Sequence, residues 1–154
     1  MSADQLIVRG GKPLVGEIGL KGSKNFVPKA LVAALLTKES CKLHDVPHIS
    51  DIEIVQELYK LMGVHFTFVG SDTVEVNAKK ISNPDPDAFC DISGRSRIPI
   101  LMCAPLLHRN KRAIVPELGG CEIGSRPVDF HIKALKKMGA RLVKDGDYTY
   151  IEAD

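Results

Sequence analysis

One structural pattern is written twice along the chain, and that repetition constrains the fold more than any other feature of the sequence. Gly22-Ser23-Lys24-Asn25 is a turn leading into Phe26–Thr37, a segment helical by composition, with Pro28 in the first turn where its missing N–H costs little. Gly94-Arg95-Ser96-Arg97 takes the same place ahead of Ile98–Leu107, again with a proline, Pro99, near the start. Leu61-Met62-Gly63-Val64 returns as Lys137-Met138-Gly139-Ala140. A hairpin closes each copy. Val64–Val69 and Thr73–Asn77 flank Gly70-Ser71-Asp72 in the first, and Arg141–Lys144 and Tyr148–Glu152 flank Asp145-Gly146-Asp147 in the second. The fold class is therefore α/β (α+β), with two units of the order strand-helix-strand-helix-strand-strand, each roughly seventy residues long. They occupy residues 21–80 and 81–154.

In the first unit, Lys42–Val46 reads as a buried strand. Ser50-Asp51-Ile52-Glu53 has the form of a capping box, and Ile49 and Ile54 stand where a hydrophobic staple would close. Ile54, Leu58, Leu61 and Met62 line one helical face, and Gly63 ends it. Lys79–Asp87, with Pro84 and Pro86, reads as a linker. In the second unit, Pro105 is expected to kink or shorten the apolar helix, Arg112–Val115 to be the buried strand, and Pro127–Met138 to be an amphipathic helix carrying Phe130, Ala134, Leu135 and Met138. Ahead of both units, Gln5–Arg9 and Leu14–Leu20 are joined by Gly10-Gly11-Lys12-Pro13 and are expected to form a hairpin within residues 1–20.

The main difference between the copies is an inserted loop within Pro116–His131, which reads P-E-L-G-G-C-E-I-G-S-R-P-V-D-F-H. An addition to one copy of a repeat is where function is usually added. Gly119, Gly120 and Gly124 free the backbone on both sides of Cys121. Ser125 can cap the following helix, with Pro127 near its start and Asp129 in its first turn. Free N–H groups at that helix start, together with Arg126, suit an anion and lower the hold of Cys121 on its proton.

Composition excludes several classes. With 154 residues, 44% hydrophobic and 26% charged, the chain has the makings of a single globular core. A net charge of +2 is too small to argue for nucleic acid as the partner. The longest apolar stretch, Ala30–Leu36, is far short of a membrane span, and no signal-peptide pattern opens the sequence, so no membrane partner and a cytoplasmic setting are expected. Cys41, Cys90, Cys103 and Cys121 form no C-x-x-C pair and have no histidine at ligand spacing, so neither a disulfide scaffold nor a metal site is expected. Cys41 and Cys103 read as core thiols, whereas the neighbours of Cys121 are glycine and polar residues.

The Lys24-Asn25 turn, the Arg97 helix and above all G-G-C-E-I-G-S-R-P-V-D-F-H resemble the UDP-N-acetylglucosamine 1-carboxyvinyltransferase family of peptidoglycan synthesis, and the likeness runs along essentially the whole chain. The related enzyme of aromatic amino-acid synthesis shares the fold, but the G-G-C-E-I-G loop argues against it. The resemblance implies repeated βαβαββ units of the inside-out α/β barrel type, three to a domain in two domains, with the opening hairpin belonging to the other domain. Two units are present here, so the chain is expected to be an N-terminal fragment or a truncated relative, weakly active or inactive alone. Uncovered helix faces and strand edges would then favour self-association or a partner chain supplying the missing half. A catalytically dead domain that binds nucleotide-sugar or complements a partner is the alternative.

The implied reaction moves the enolpyruvyl group of phosphoenolpyruvate to the 3′-hydroxyl of UDP-N-acetylglucosamine and releases phosphate, with small-molecule substrates and no cofactor. Cys121 is then the proton donor to the methylene carbon of phosphoenolpyruvate, and its sulfur can add covalently to that substrate. Lys24 and Asn25 would hold the phosphate or carboxylate, with Arg126 at a second helix start. Arg97 would help hold the UDP-sugar, although Arg95 is near enough for the alignment to slip. Pro127, Val128, Asp129 and Phe130 would line the nucleotide-sugar pocket, and Val128 and Phe130 fit equally as core residues. Read without the family, Lys24 is a solvated lysine, Asn25 a helix cap and Arg126 a surface ion pair; His131 stays outside the expected site.

Overall fold

The computed structural model describes residues 7–116 and 127–154. In the first unit the order is α1 (Val27–Ala34), β1 (Ser40–Leu43), α2 (Ser50–Leu61), β2 (His65–Val69) and β3 (Thr73–Asn77). In the second it is α3 (Pro86–Ser93), α4 (Pro99–Asn110), β4 (Arg112–Ile114), α5 (Asp129–Lys137), β5 (Arg141–Asp145) and β6 (Tyr148–Glu152). Each unit folds its strands into a three-stranded antiparallel sheet with the last strand in the middle, β1-β3-β2 and β4-β6-β5. Identical strand order in the two sheets is the structural form of the sequence repeat.

The pleat explains which side of each sheet is covered. Val74 and Val76 alternate along β3, opposite Leu43 and Cys41 of β1 and Phe68 and Phe66 of β2, and both valines are fully buried. Ile151 takes the equivalent place on β6, opposite Ala113 and Leu142. The first long helix of each unit lies against its own sheet, and α1 also packs against α4, so the units share one apolar core that includes Leu31, Leu35, Leu58, Met102 and Leu106. Inside it the Tyr59 hydroxyl donates to the Leu31 carbonyl, tying α2 to α1. Burial raises the hydroxyl's pKa well above the ordinary phenol value.

Several expectations need correction. No strand forms among the described residues 7–21, so Leu14–Leu20 builds no hairpin, and Ile7, Val8, Leu14, Val15, Ile18 and Leu20 are 78–98% exposed. Alternating apolar residues make a strand only when another strand supplies hydrogen bonds, and within the described residues none reaches this segment. The strand expected at Lys42–Val46 starts at Ser40 and lies at a sheet edge, half-exposed, which leaves Cys41 half-buried. Helix α2 is preceded by Ile49 in extended conformation with no side-chain cap, and Ser50 is already helical, so the capping box does not close. Its buried face is Ile52, Val55, Leu58 and Tyr59, with Met62 just beyond, and Ile54 and Leu61 flank it half-buried.

The Lys79–Asp87 linker ends in a helix that its prolines disguised. Asp85 caps α3 by accepting from the Ala88 N–H at 3.0 Å, and Pro86 opens it. Pro105 does not shorten α4, which runs on to Asn110. Helix α5 has no buried residue: Ile132 and Leu135, with Val128 just ahead of it, are half-buried against the core, whereas Phe130, and Met138 just beyond its end, stand in solvent. No described helix is long and apolar enough to cross a membrane.

Candidate functional site

The Lys24-Asn25 turn is held by one close backbone approach. The Gly22 N–H donates to the Asp45 carbonyl at 2.9 Å, and a Cβ on Gly22 would lie 2.4 Å from that oxygen, so only glycine fits. Lys21 secures the same region from the side, its ammonium 2.7 Å from Asp72 Oδ2. The Ser23 carbonyl then accepts from Phe26 and Val27, each at 3.1 Å, and its hydroxyl accepts from the Asn25 N–H at 3.3 Å. These bonds turn the chain into α1 with Lys24 and Asn25 exposed at its start.

The equivalent turn of the second unit is built around Ser96. This buried residue accepts from the Ile98 N–H at 3.2 Å and starts α4. The arginines beside it differ. Arg95 is exposed and ion-paired with Glu57 of α2, whereas Arg97 is half-buried.

Between the two turns lies an open cleft of about 490 Å³. The first unit lines it with Lys24, Asn25, Pro28, Lys29 and Asp51, and the second with Arg95 through Ile98, Ile100, Leu101 and His131. Helices α1, α2 and α4 all begin here, so the N–H groups of three helix starts add to the cationic side chains. Lys29 donates to the Asn25 carbonyl at 2.7 Å, and the Lys24 ammonium stands 3.3 Å from Asp51 Oδ2. Among the described lining residues Lys24, Lys29 and Arg97, with Arg95 balanced by Glu57, outweigh the carboxylate of Asp51, and the arrangement suits a ligand carrying phosphate or carboxylate.

The structure thus brings Lys24, Asn25 and Arg97 to one place from two units. Cys121, Ser125 and Arg126 lie outside the described residues, and the helix expected to start at Pro127 under a Ser125 cap begins at Asp129, with Val128 at its N-cap position. Pro127, Val128, Asp129 and Phe130 do not line the cleft; they lead into α5, from which His131 reaches it. Asp129 accepts from Lys133 at 2.7 Å, and that bond holds its carboxyl below the usual carboxylate range. Phe130 is 74% exposed, its ring centroid 5.8 Å from the Lys133 ammonium, so it is not a core residue. The sequence reading missed Lys29 and Asp51 and left out His131. Asp51 is accounted for there by a helix-start motif, and no spacing ties it to Lys24.

Cys103 has another character. It is buried in α4 and donates to the Ile114 carbonyl at 3.3 Å, and burial pushes its thiol up to about 12. Such a thiol is a core residue and no nucleophile.

The chain matches the family model of EPSP synthase (3-phosphoshikimate 1-carboxyvinyltransferase) over residues 8–154. It is 40% identical over 145 residues to the UDP-N-acetylglucosamine 1-carboxyvinyltransferase of Solidesulfovibrio magneticus, a match covering 94% of this chain and 34% of the relative. The enzyme of that name from Protochlamydia amoebophila is 42% identical over 140 residues, covering 89% of this chain and 30% of the relative. The chain spans about a third of the length of these curated relatives. Among solved structures, the enolpyruvyl transferase NikO from Streptomyces tendae aligns with a TM-score of 0.73 at 19% identity, over 94% of this chain and 31% of that one, a likeness of fold.

Proposed function

The chain belongs to the EPSP synthase (3-phosphoshikimate 1-carboxyvinyltransferase) family, and from that premise we propose that its cleft is part of the site of an enolpyruvyl transferase acting on phosphoenolpyruvate and UDP-N-acetylglucosamine. The observation that carries this reading is the convergence of Lys24, Asn25 and Arg97 on one cleft at the start of three helices. The choice of UDP-N-acetylglucosamine is supported by the names of relatives about 40% identical and by the G-G-C-E-I-G loop. The product would enter peptidoglycan synthesis.

Lys24 and Asn25 hold the anionic end of phosphoenolpyruvate, and fixed cations there steady the charge of the departing phosphate. Cys121 gives its thiol proton to the methylene carbon, which makes the adjacent carbon electrophilic. The 3′-hydroxyl oxygen bonds to that carbon as its own proton leaves to a base. Loss of a proton from the new methyl group then restores the double bond and expels inorganic phosphate, leaving the enol ether. Arg126 joins Lys24 and Asn25 in holding the anion, Arg97 helps hold the nucleotide-sugar, and Cys121 can also add through sulfur to the same electrophilic carbon.

The test is phosphate release from the two substrates, with the remaining two-thirds of a curated relative supplied as a separate chain. Restored turnover is expected. Cys121→Ser should abolish most of it, because serine gives up no proton near neutral pH, whereas Cys121→Asp should keep part. Near-normal turnover with serine contradicts the assigned role. Nucleotide-sugar binding without any phosphate release contradicts the transferase reading and favours a binding domain.

A further inference from the structure

A carboxylate in an anion-binding cleft needs a reason, because it raises the energy of every phosphate that enters. Asp51 is that carboxylate: it lines the cleft, and its Oδ2 lies 3.3 Å from the Lys24 ammonium. The partners are unequal. The Asp51 side chain is 25% exposed and that of Lys24 70%, so the carboxylate is the more enclosed member of the pair and the lysine the more solvent-accessible one. Asp51 stands in the first turn of a 12-residue helix anchored by buried Ile52, where the helix dipole favours a negative charge. The nearby cations have other partners: Arg95 is paired with Glu57, and Lys29 is bound to the Asn25 carbonyl.

We propose that Asp51 is the resident counter-ion of Lys24: it holds the ammonium against the cleft wall when no anion is bound, and competes with phosphate for it when one is. Asp51 is therefore a positioning residue that acts through Lys24 and keeps anion binding reversible. A lysine held in place loses less side-chain freedom on binding, and a lysine shared with a carboxylate releases phosphate more readily. The inference rests on the anion-binding reading of the cleft.

The test titrates this 154-residue chain with inorganic phosphate and with phosphoenolpyruvate, followed by amide chemical shifts. Asp51→Asn should tighten both Kd values about two- to five-fold, the range of an exposed ion pair, and the charge-conserving Asp51→Glu should restore the wild-type values. In a Lys24→Met background, Asp51→Asn should change Kd by less than half as much. Asp51→Ser, also suited to a helix start, is the second variant if asparagine impairs folding. Unchanged or weaker binding in Asp51→Asn, or equal tightening with and without Lys24, overturns the inference while leaving the anion reading intact. Failure of the wild-type chain and Asp51→Asn alike to bind either anion overturns both.

Discussion

The guanidinium of Arg109 donates to the backbone carbonyl of Leu35 at 2.7 Å, joining the end of α4 to the end of α1. The same side chain reaches the carbonyls of Thr37 at 2.9 Å and Ala78 at 2.8 Å. Backbone acceptors at the end of α1 and beyond β3 are thus bonded by one residue of the other unit. Few side chains could do this, because the bonds need a planar donor group with several N–H directions.

Arg109→Met should therefore destabilise the whole chain, since it strips partners from several carbonyls at once. Charged hydrogen bonds of this kind contribute about 1.5–3 kcal/mol each, and the half-exposed setting lowers the sum to about 2–4 kcal/mol. Arg109→Lys should recover only part of that loss, because an ammonium cannot span the same acceptors. Urea unfolding of the three proteins checks both expectations.

Gly22→Ala should damage the site more than the core. The added methyl would lie 2.4 Å from the Asp45 carbonyl oxygen, so the turn carrying Lys24 and Asn25 must move. A shift of this kind costs about 1–3 kcal/mol. The specific expectation is that binding of phosphoenolpyruvate weakens while circular dichroism at room temperature stays unchanged. A variant that binds as well as the wild type would show that the turn does not depend on this approach.

Cys103 should resist alkylation at pH 8 in the folded chain, because burial keeps its proton on sulfur up to about pH 12. Iodoacetamide labelling followed by mass spectrometry should leave Cys103 unmodified until denaturant is added. Rapid labelling of Cys103 in the native chain would contradict the packing of α4 against β4.

The repeat was the legible part of the fold. Turn, helix, strand, helix and hairpin recur with enough glycine and apolar punctuation for both hairpins to be located within a residue or two, whereas the enolpyruvyl transferase fold was implied by the family resemblance and is matched by the solved structure. Proline and capping signals were less informative. Pro84 and Pro86 read as a linker although Pro86 begins α3, and Ser50 read as a cap although the chain is already helical there. The first is a local helix start, an Asp85 cap ahead of a first-turn proline, that the proline-rich composition hid, whereas Ser50 lies one residue inside its helix and so cannot cap it. Leu14–Leu20 fails for a different reason: its alternation is that of a strand, but a strand requires a partner that the described residues do not bring to it. Of the site, Lys24, Asn25 and Arg97 were visible through the family resemblance; by position alone Lys24 reads as a solvated lysine and Asn25 as a helix cap. Lys29 and Asp51 were not, since their approach to the cleft depends on how the two units pack.

Amide chemical-shift mapping of the chain with phosphoenolpyruvate tests the central claim most directly. Saturable shifts should cluster at residues 22–29, at Asp51 and Ile52, and at residues 95–101, and Lys24→Met should reduce the affinity several-fold. Shifts confined to the outer face of α5, or no saturable shifts at millimolar ligand, would contradict it.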